Sequence, residues 1–378
     1  MTKPRTGLVL TGGGARAAYQ VGVLKAISHM MPGLTYPFEI ITGTSAGAIN
    51  SILLAGGGDL FSHAVERMDQ IWGDIHHEQI YRSDFLGLSS SMTRFLQGAL
   101  LGDSSPQQAA MLNNAPLRDL LAQHLQFDQV RDAVAKGNLR GVGVNACGYS
   151  SGRNLCFFEA APEVANWELD QRMGIRDPLT IEHILASAAI PTIFPPVRLH
   201  REYFGDGATR QMAHLSPALH LGADKLLIIG VSANRTHRPV RKDSEHYPNM
   251  GQIMENVLNG MFLDTLEFDI ERLSITNALL AEIPESRRPK LPLDVRQVPF
   301  LEISPTRPIY DVARKHMGRL PAMIRRIMGH NLQHGEGGVS LASYLLFDRE
   351  FCRELIRQGY ADAQRKASQI EEFLQGHG

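Results

Sequence analysis

Cysteine is scarce in this sequence of 378 residues, which contains only Cys147, Cys156 and Cys352. Three cysteines cannot all pair into disulfides, and their spacings match no metal-binding motif. We therefore expect buried, reduced cysteines, as is usual in a reducing compartment. The sequence does not predict a disulfide-rich secreted domain.

The chain also lacks an excess of charge of either sign, because 38 basic and 39 acidic residues leave a net charge of −1. Nucleic-acid binding depends on many lysine and arginine contacts to phosphate, and this balance provides no long-range field that favours them. We therefore expect no nucleic-acid partner. The hydrophobic fraction of 43% is ordinary for a folded protein. The length allows one large α/β domain or two smaller ones.

Long hydrophobic runs are absent as well. After Lys3 and Arg5 the first apolar run covers only residues 8–10. The apolar region of a secretory signal needs about 7–15 residues, so we expect no signal peptide. The uncharged stretch 40–58 is interrupted by polar residues and glycines, which argues against a transmembrane helix. A cytoplasmic location is therefore expected.

The apolar pattern at the start of the chain predicts a parallel sheet with crossover helices. Buried strands are expected at 7–11 and 38–42, and helices at 18–27 and 46–55. Strand, turn and helix repeated in this order indicate an α/β fold. Asp59 is expected to cap the next helix. Further helices are predicted at 61–72, 181–190, 250–280 and 348–374, and further strands at 141–147, 155–159, 197–200, 203–205, 225–231 and 298–303.

The segment Gly43-Thr44-Ser45-Ala46-Gly47 has the pattern G-x-S-x-G between a predicted strand and a predicted helix. In this context the pattern is typical of a nucleophile elbow, a tight turn that presents the serine hydroxyl and needs small flanking residues. The amides at the start of the following helix face the anion that forms on attack. Serine between glycines also occurs in ordinary turns, so the motif alone leaves a structural role open.

Gly12, Gly13 and Gly14 stand at the earlier junction of strand and helix and are followed by Arg16 after one residue. Consecutive glycines expose backbone N–H groups that can bind a phosphate or an oxyanion at the start of a helix. The glycines alone do not distinguish these ligands from each other or from a tight turn without a ligand.

Asp206 and Gly207 follow the predicted strand at 203–205. An acid beside glycine on a loop after a strand can approach a nucleophile closely. Asp-Gly is also a common turn pair, so this feature has weight only together with the two motifs before it.

In this order the three motifs resemble those of the patatin-like phospholipase family. Members carry a G-G-G-x-[RK]-G loop, a G-x-S-x-G elbow and later a D-G-[AG] motif, which correspond here to 12–17, 43–47 and 206–208. The block at 186–191 is similar to the family's A-S-x-x-x-P sequence. Ala17 replaces the last glycine of the first motif, and we expect no loss of activity because alanine is the smallest substitute.

The resemblance implies a three-layer α/β/α sandwich with a mostly parallel central sheet. It covers roughly residues 7–235, the expected catalytic domain. Residues 236–378 are then a C-terminal, mainly helical extension that is expected to pack on the core. The oligomeric state is not indicated.

The resemblance further implies a serine acyl hydrolase that cleaves carboxylic ester bonds of lipids, as a phospholipase A or a lysophospholipase-like esterase. Ser45 would attack the acyl carbonyl and Asp206 would accept its proton directly. The oxyanion would be held by amides of Gly12, Gly13 and Gly14. The motifs would be supported by Arg16, which locks the glycine loop, and by Gly43, Gly47 and Gly207. The substrate is a lipid or acyl ester, and no metal or other cofactor is implied.

Two alternatives stay open. The pattern G-x-G-x-x-A at 12–17 also fits a dinucleotide fingerprint, which expects an acid at the end of the second strand. Here the only acid of that strand, Glu39, stands at its beginning, and this counts against an oxidoreductase. The other alternative is a catalytically silent binding or scaffold protein, because a fold does not guarantee an activity.

Two segments bear on access to lipid. Residues 309–328 mix apolar residues with arginine and lysine, as in helices that lie on anionic membranes, although a core-packed helix with a solvated basic face is favoured and Pro321 interrupts the stretch. Residues 86–114 are apolar with few charges and could form a lid over the site or a buried cap. Peripheral membrane contact is therefore one expectation that the sequence leaves open.

Overall fold

A computed structural model of the chain describes residues 4–82, 110–232, 253, 256–257, 259–261, 265–284, 286–287, 295–322, 324–325 and 336–376. Of the segment 86–114, for which the sequence leaves a lid and a buried cap open, residues 86–109 lie outside the described residues. No helix in the described part of the chain combines the length and the apolar composition that crossing a bilayer requires.

The strands of the described chain form one mixed sheet with the order β10-β9-β1-β2-β3-β4-β6-β5, to which β7 and β8 are joined through β3. The strands are β1 Thr6–Leu10, β2 Ile40–Thr44, β3 Gly141–Gly148, β4 Asn154–Ala160, β5 Trp167–Leu169, β6 Arg172–Arg176, β7 Val197–Leu199, β8 Glu202–Asp206, β9 Lys225–Ile229 and β10 Phe300–Ile303. Pairing is parallel from β10 through β9, β1 and β2 to β3, whereas β4 and β8 run antiparallel to β3. The predicted, mostly parallel α/β sheet is confirmed.

Helices flank this sheet. They are α1 Ala18–Met30, α2 Ala46–Ala55, α3 Phe61–Gly73, α4 Ala115–His124, α5 Phe127–Ala135, α6 Ile181–Ser187, α7 Ser216–His220, α8 Thr265–Glu282, α9 Ile309–His316, α10 Glu336–Leu345, α11 Arg349–Arg365 and α12 Ala367–Gln375. Several predicted boundaries shift, and the long helix expected at 348–374 is two helices, with Asp348 capping α11. The expected cap of α3 is wrong, since no side chain caps that helix.

Both faces of the sheet are buried. Along β1, Leu8 and Leu10 belong to one hydrophobic cluster, and Val9 belongs to the other, because side chains alternate between the faces of a strand. Helices α1, α2, α3 and α11 contribute to the first cluster, and α7 and α8 to the second. The predicted three-layer α/β/α sandwich is therefore confirmed, and the apolar run of β1 reflects burial on both sides.

The C-terminal part of the chain adds to the same core. Strand β10 pairs with β9 at one edge of the sheet. Helix α11 lies against α1 at very short range, since a Cβ on Gly22 would lie 2.0 Å from the carbonyl oxygen of Ile356. The division of the chain near residue 235 stays a prediction.

The basic stretch predicted at 309–328 is not one continuous helix. Helix α9 ends at His316, a 3₁₀ turn follows at Met317–Arg319, and the backbone of Leu320 is extended. Ile309 and Val312 are buried in the core, so α9 packs on the protein with its apolar side. This favours the core-packed interpretation for α9.

Candidate active site

Ser45 occupies the sharp turn between β2 and α2. Its backbone angles, φ 55° and ψ −127°, lie outside the regions that residues other than glycine usually adopt. The turn is tight, because a Cβ on Gly43 would lie 2.3 Å from the carbonyl oxygen of Gly47, and one on Gly47 would lie 2.3 Å from that of Leu10. The G-x-S-x-G motif therefore forms a strained elbow in which both glycines are required by space.

One short segment at the end of α6 holds the backbones of both Ser45 and Asp206. The N–H of Ser45 donates to Ser187 Oγ at 2.8 Å, and Ser187 Oγ donates to the carbonyl oxygen of Asn145 at 2.6 Å. The N–H of Asp206 donates to the carbonyl oxygen of Ala189 at 2.9 Å. Residues from β2 and β8, far apart in sequence, are thus fixed against the same three-residue segment.

The carboxyl group of Asp206 is completely buried at the end of β8. Its Oδ1 accepts the N–H of Ala208 at 2.9 Å, whereas Oδ2 has no hydrogen-bond partner of regular geometry among the described residues. The backbone approaches closely here, since a Cβ on Gly207 would lie 2.3 Å from the carbonyl oxygen of Asn145.

Burial raises the pKa of Asp206 from 3.8 to about 7, because the charged form loses its hydration. Hydrogen bonding to the side chain of Ser45 and to the N–H of Ala208 acts in the opposite direction and favours the carboxylate. The Ser45 side chain therefore lies close enough to the Asp206 carboxyl group to affect its pKa, without a hydrogen bond of regular geometry to Oδ2. A carboxyl group with a pKa near 7 is suited to exchange protons at neutral pH.

The glycine loop lies beside Ser45, between β1 and a 3₁₀ turn at Gly14–Ala17. Gly14 has φ 54° and lines the same pocket as Ser45, and a Cβ on it would lie 2.2 Å from the carbonyl oxygen of Tyr344. The N–H of Gly13 donates to no acceptor in the described part of the chain. Gly12 precedes it in the same buried loop. The loop can therefore present amides next to the Ser45 hydroxyl.

Arg16 joins this loop to α10 from the C-terminal part of the chain. Its Nε donates to Ser343 Oγ at 2.7 Å, and a terminal nitrogen donates to the carbonyl oxygen and Oγ of Ser340 at 3.0 and 2.8 Å. The guanidinium lies 3.9 Å from the ring centroid of Tyr344. Arg16 is buried, binds α10 and is not among the residues that line the pocket beside Ser45, which agrees with a structural rather than a catalytic position.

An apolar pocket begins at Ser45 and Gly14. Its walls come from α2, α3, α4, α10 and the segment after α6. The apolar lining consists mainly of Ile49, Ile71, Trp72, Ile75, Ile80, Leu117, Leu120, Leu121, Ile190, Phe194, Tyr344 and Phe347. A cavity of this lining beside a serine can hold a hydrocarbon chain.

Glu39 bears on the dinucleotide alternative. Its Oε2 accepts the backbone N–H of Thr6 at 2.8 Å, so this acid is used at the amino ends of β1 and β2. Dinucleotides bind outside the carboxyl ends of the strands, the opposite edge of the sheet. Glu39 therefore cannot serve as the ribose ligand that the fingerprint requires.

The model of the patatin-like phospholipase family matches residues 8–219. The chain belongs to this family. The predicted resemblance is thereby confirmed, and the three motifs stand in the part of the chain that the family model covers.

Two curated proteins are similar to parts of this chain. A cGAMP-activated phospholipase of Pseudomonas aeruginosa is 29% identical over 204 residues, 53% of this chain and 51% of that protein. Lysophospholipase nte1 of Aspergillus terreus is 52% identical over 54 residues, 14% of this chain and 3% of that protein. The chain thus spans about half the length of the first relative and a small fraction of the second.

Solved structures with a similar chain path include human GIVD cytosolic phospholipase A2, at 13% identity and a TM-score of 0.48. The alignment covers 98% of this chain and 60% of the human one. VipD from Legionella pneumophila aligns over 98% of this chain and 67% of its own, at 12% identity and a TM-score of 0.36.

Several residues that shape this patatin-like site carry no motif of their own. Gln20 Nε2 donates to the carbonyl oxygen of Thr11, Asn50 Nδ2 donates to Gln20 Oε1, and Trp72 Nε1 donates to Asn50 Oδ1. This buried chain of hydrogen bonds ties α1, α2 and α3 to the end of β1. The sequence did mark Ser187, because it stands in the block similar to the family's A-S-x-x-x-P sequence. Its hydrogen bond to the Ser45 N–H could not be inferred from the sequence.

Proposed function

We propose that the chain is a serine acyl hydrolase that cleaves carboxylic ester bonds of lipids, with Ser45 as the nucleophile and Asp206 as the general base. The observation that carries the proposal is the segment at 187–189, which fixes a strained serine and a buried carboxyl group side by side. Both lie beside a pocket lined by apolar side chains. Membership of the patatin-like phospholipase family supports the same chemistry.

In the first half of the reaction, Ser45 Oγ attacks the acyl carbonyl while Asp206 takes the hydroxyl proton. The charge that develops on the carbonyl oxygen is stabilised by amides of the glycine loop, those of Gly13 and Gly14 first and Gly12 beside them. When the tetrahedral intermediate collapses, the ester C–O bond breaks and Asp206 returns the proton to the leaving alcohol. The acyl group stays on Ser45.

In the second half, water replaces the leaving alcohol and attacks the acyl-enzyme. Asp206 takes a proton from this water, and the same amides hold the second oxyanion. Collapse releases the fatty acid and restores the Ser45 hydroxyl. No residue other than the dyad has to donate or accept a proton.

The role of Asp206 predicts a dependence on pH. Only the carboxylate can accept the serine proton, so kcat/KM for a neutral ester should rise with pH and level off above about pH 7. The measurement is a pH–rate profile, with the melting temperature recorded at each pH so that unfolding is not mistaken for loss of activity. A profile that stays flat from about pH 5 to about pH 9 would contradict Asp206 as the base.

The pocket predicts a preference for longer acyl chains that a bulky side chain can remove. Ile71 is half-buried on α3 and lines the pocket, so Ile71→Trp should fill space that the chain occupies. We expect kcat/KM for a dodecanoyl ester to fall about tenfold or more relative to a butyryl ester. The measurement is a series of nitrophenyl esters and of phospholipids of increasing chain length.

Val134→Trp on α5 is the matched control, because Val134 is a half-buried apolar residue that does not line this pocket. It should leave the ratio between long and short esters unchanged. If Ile71→Trp and Val134→Trp changed the ratio equally, the acyl chain would have to bind elsewhere.

A further inference from the structure

A cluster of two histidines and one aspartate lies outside the dyad and the pocket. Asp177 belongs to the loop between β6 and α6, His183 lies in the first turn of α6, and His200 lies in the turn between β7 and β8. One nitrogen of each histidine and one oxygen of Asp177 lie within 4.8 Å of one another. Three separate elements therefore converge on one point.

The cluster is built into the protein rather than scattered on its surface. The side chains of His183 and Asp177 are 5% and 15% exposed, whereas that of His200 is 66% exposed. Asp177 Oδ2 lies 3.3 Å from His183 Nε2 and 2.5 Å from His200 Nε2. Asp177 and His183 therefore face the protein interior, whereas His200 is open to solvent.

We propose that Asp177, His183 and His200 bind a divalent transition-metal ion, with Zn²⁺ as the best match. Two imidazole nitrogens and one carboxylate oxygen, with water in the fourth position, are an established donor set for zinc. Ligands at bonds of about 2.0–2.1 Å around a tetrahedral ion lie about 3.3 Å apart. The distance between Asp177 Oδ2 and His183 Nε2 already has this value. His200 Nε2, which is open to solvent, has to move away from Asp177 Oδ2 by less than an ångström.

The tautomer of His183 can follow the ion. Its Nδ1 lies 3.0 Å from Thr180 Oγ1 and 3.2 Å from the N–H of Thr180. With the metal on Nε2, Nδ1 carries the proton and donates it to Thr180 Oγ1, and the longer contact with the N–H is given up. Such a second hydrogen bond is the usual way in which a metal-binding histidine is oriented.

The backbone of His200 supports a role for its side chain. His200 has φ 52° in a two-residue hairpin loop, where asparagine or glycine is the usual choice. A histidine in this strained position directs its ring across the hairpin to Asp177. We attribute its presence to the ring rather than to the turn.

A bound ion would link α6 to the hairpin that leads into β8. Helix α6 ends at Ser187, which receives the N–H of Ser45, and β8 ends at Asp206. The ion therefore acts as a structural link one helical turn from the residues that position the dyad. It touches neither the reacting atoms nor the pocket, and the proposal does not depend on the acyl hydrolase function.

The test is Zn²⁺ binding to the full chain after dialysis against a chelator. Isothermal titration and metal analysis should give one ion per chain, and excess Zn²⁺ should raise the melting temperature by at least about 2 °C. Mg²⁺ and Ca²⁺ should not compete, because they prefer oxygen ligands. Co²⁺ should give the visible absorption of a four-coordinate site.

Substitutions assign the site. His200→Gln lies on the surface and should fold normally, and its affinity for Zn²⁺ should fall about 100-fold or more, as should that of His183→Gln. His63→Gln replaces an exposed histidine on α3 and should bind Zn²⁺ like the wild type. Absence of saturable Zn²⁺ binding, or binding that survives His200→Gln, would overturn the proposal and leave Asp177 and His200 as an ion pair only.

Discussion

Replacing Ser45 by alanine is expected to abolish labelling by a fluorophosphonate and to lower ester hydrolysis by at least about 10³-fold. Ser45 Oγ is the atom that would bond to phosphorus or to the acyl carbon, and alanine has no such oxygen. The fold should survive, because Ser187 binds the N–H of Ser45 and not its hydroxyl. Alanine also differs little from serine in size, so the elbow retains its geometry.

Ser51→Ala is the matched control for this experiment. Ser51 is a buried serine of α2, the helix that follows Ser45, and its hydroxyl donates to the carbonyl oxygen of Gly47 at 2.9 Å. The variant should be labelled and should remain active, since the helix supplies its own backbone hydrogen bonds. Labelling that persists in folded Ser45→Ala would place the nucleophile elsewhere. Absence of labelling in the wild type would instead favour the silent scaffold.

Asp206→Asn is the second change with a large expected effect. An amide cannot accept the serine proton, and general-base catalysis contributes about 10²–10⁴-fold, so activity should fall by this factor or more. The measurement is kcat/KM at about pH 8, where Asp206 of the wild type is ionised. Circular dichroism on each variant separates lost chemistry from misfolding.

Although Asp206→Asn should lose activity, it should not lose stability at alkaline pH. Because the folded-state pKa of Asp206 is raised to about 7, its contribution to stability is full below its unfolded value of 3.8 and is lost as pH rises through about 7. Asparagine is neutral at every pH and can still accept the N–H of Ala208. The melting temperature at about pH 8 should therefore be equal to or above that of the wild type.

The histidines nearest to Asp206 in sequence provide the contrast. His200 Nε2 contacts Asp177, and His214 Nε2 lies 2.8 Å from Thr265 Oγ1, so neither ring is directed at the carboxyl group. His200→Gln and His214→Gln should each retain most of the activity. If the activity of one of these histidine variants fell as far as that of Asp206→Asn while the variant stayed folded, the dyad model would have to be replaced by a triad.

The fold could be predicted where burial leaves a clear pattern. Strands β1 and β9 are apolar on both faces and stand out in the sequence, as does the helix after Ser45. Strands β5 and β6 were missed, because Trp167–Leu169 and Arg172–Arg176 are short, half exposed and polar at many positions. Their place in the sheet comes from pairing with β4 and with each other, which no local pattern shows.

The candidate dyad could be proposed from the sequence because each residue stands in a short motif. The contacts that hold the dyad and the glycine loop in place could not be predicted. Ser187 binds the Ser45 N–H across 142 residues, and Arg16 binds Ser343 across 327 residues. The cluster that we propose as a zinc site had the same limit, since His200 is 23 residues from Asp177 and the cluster matches no spacing motif. Contacts between distant segments depend on the folded topology rather than on local residue order.

The contact between Arg16 and α10 has a consequence for the order in which the enzyme is made. The glycine loop leaves the ribosome before its partners Ser340 and Ser343, which follow Arg16 by 324 and 327 residues. Tyr344, which packs on Gly14 and lines the pocket, arrives equally late. A nascent chain that already carries Ser45 and Asp206 therefore still lacks the support of its glycine loop. Synthesis itself therefore delays the completed site until α10 has been made.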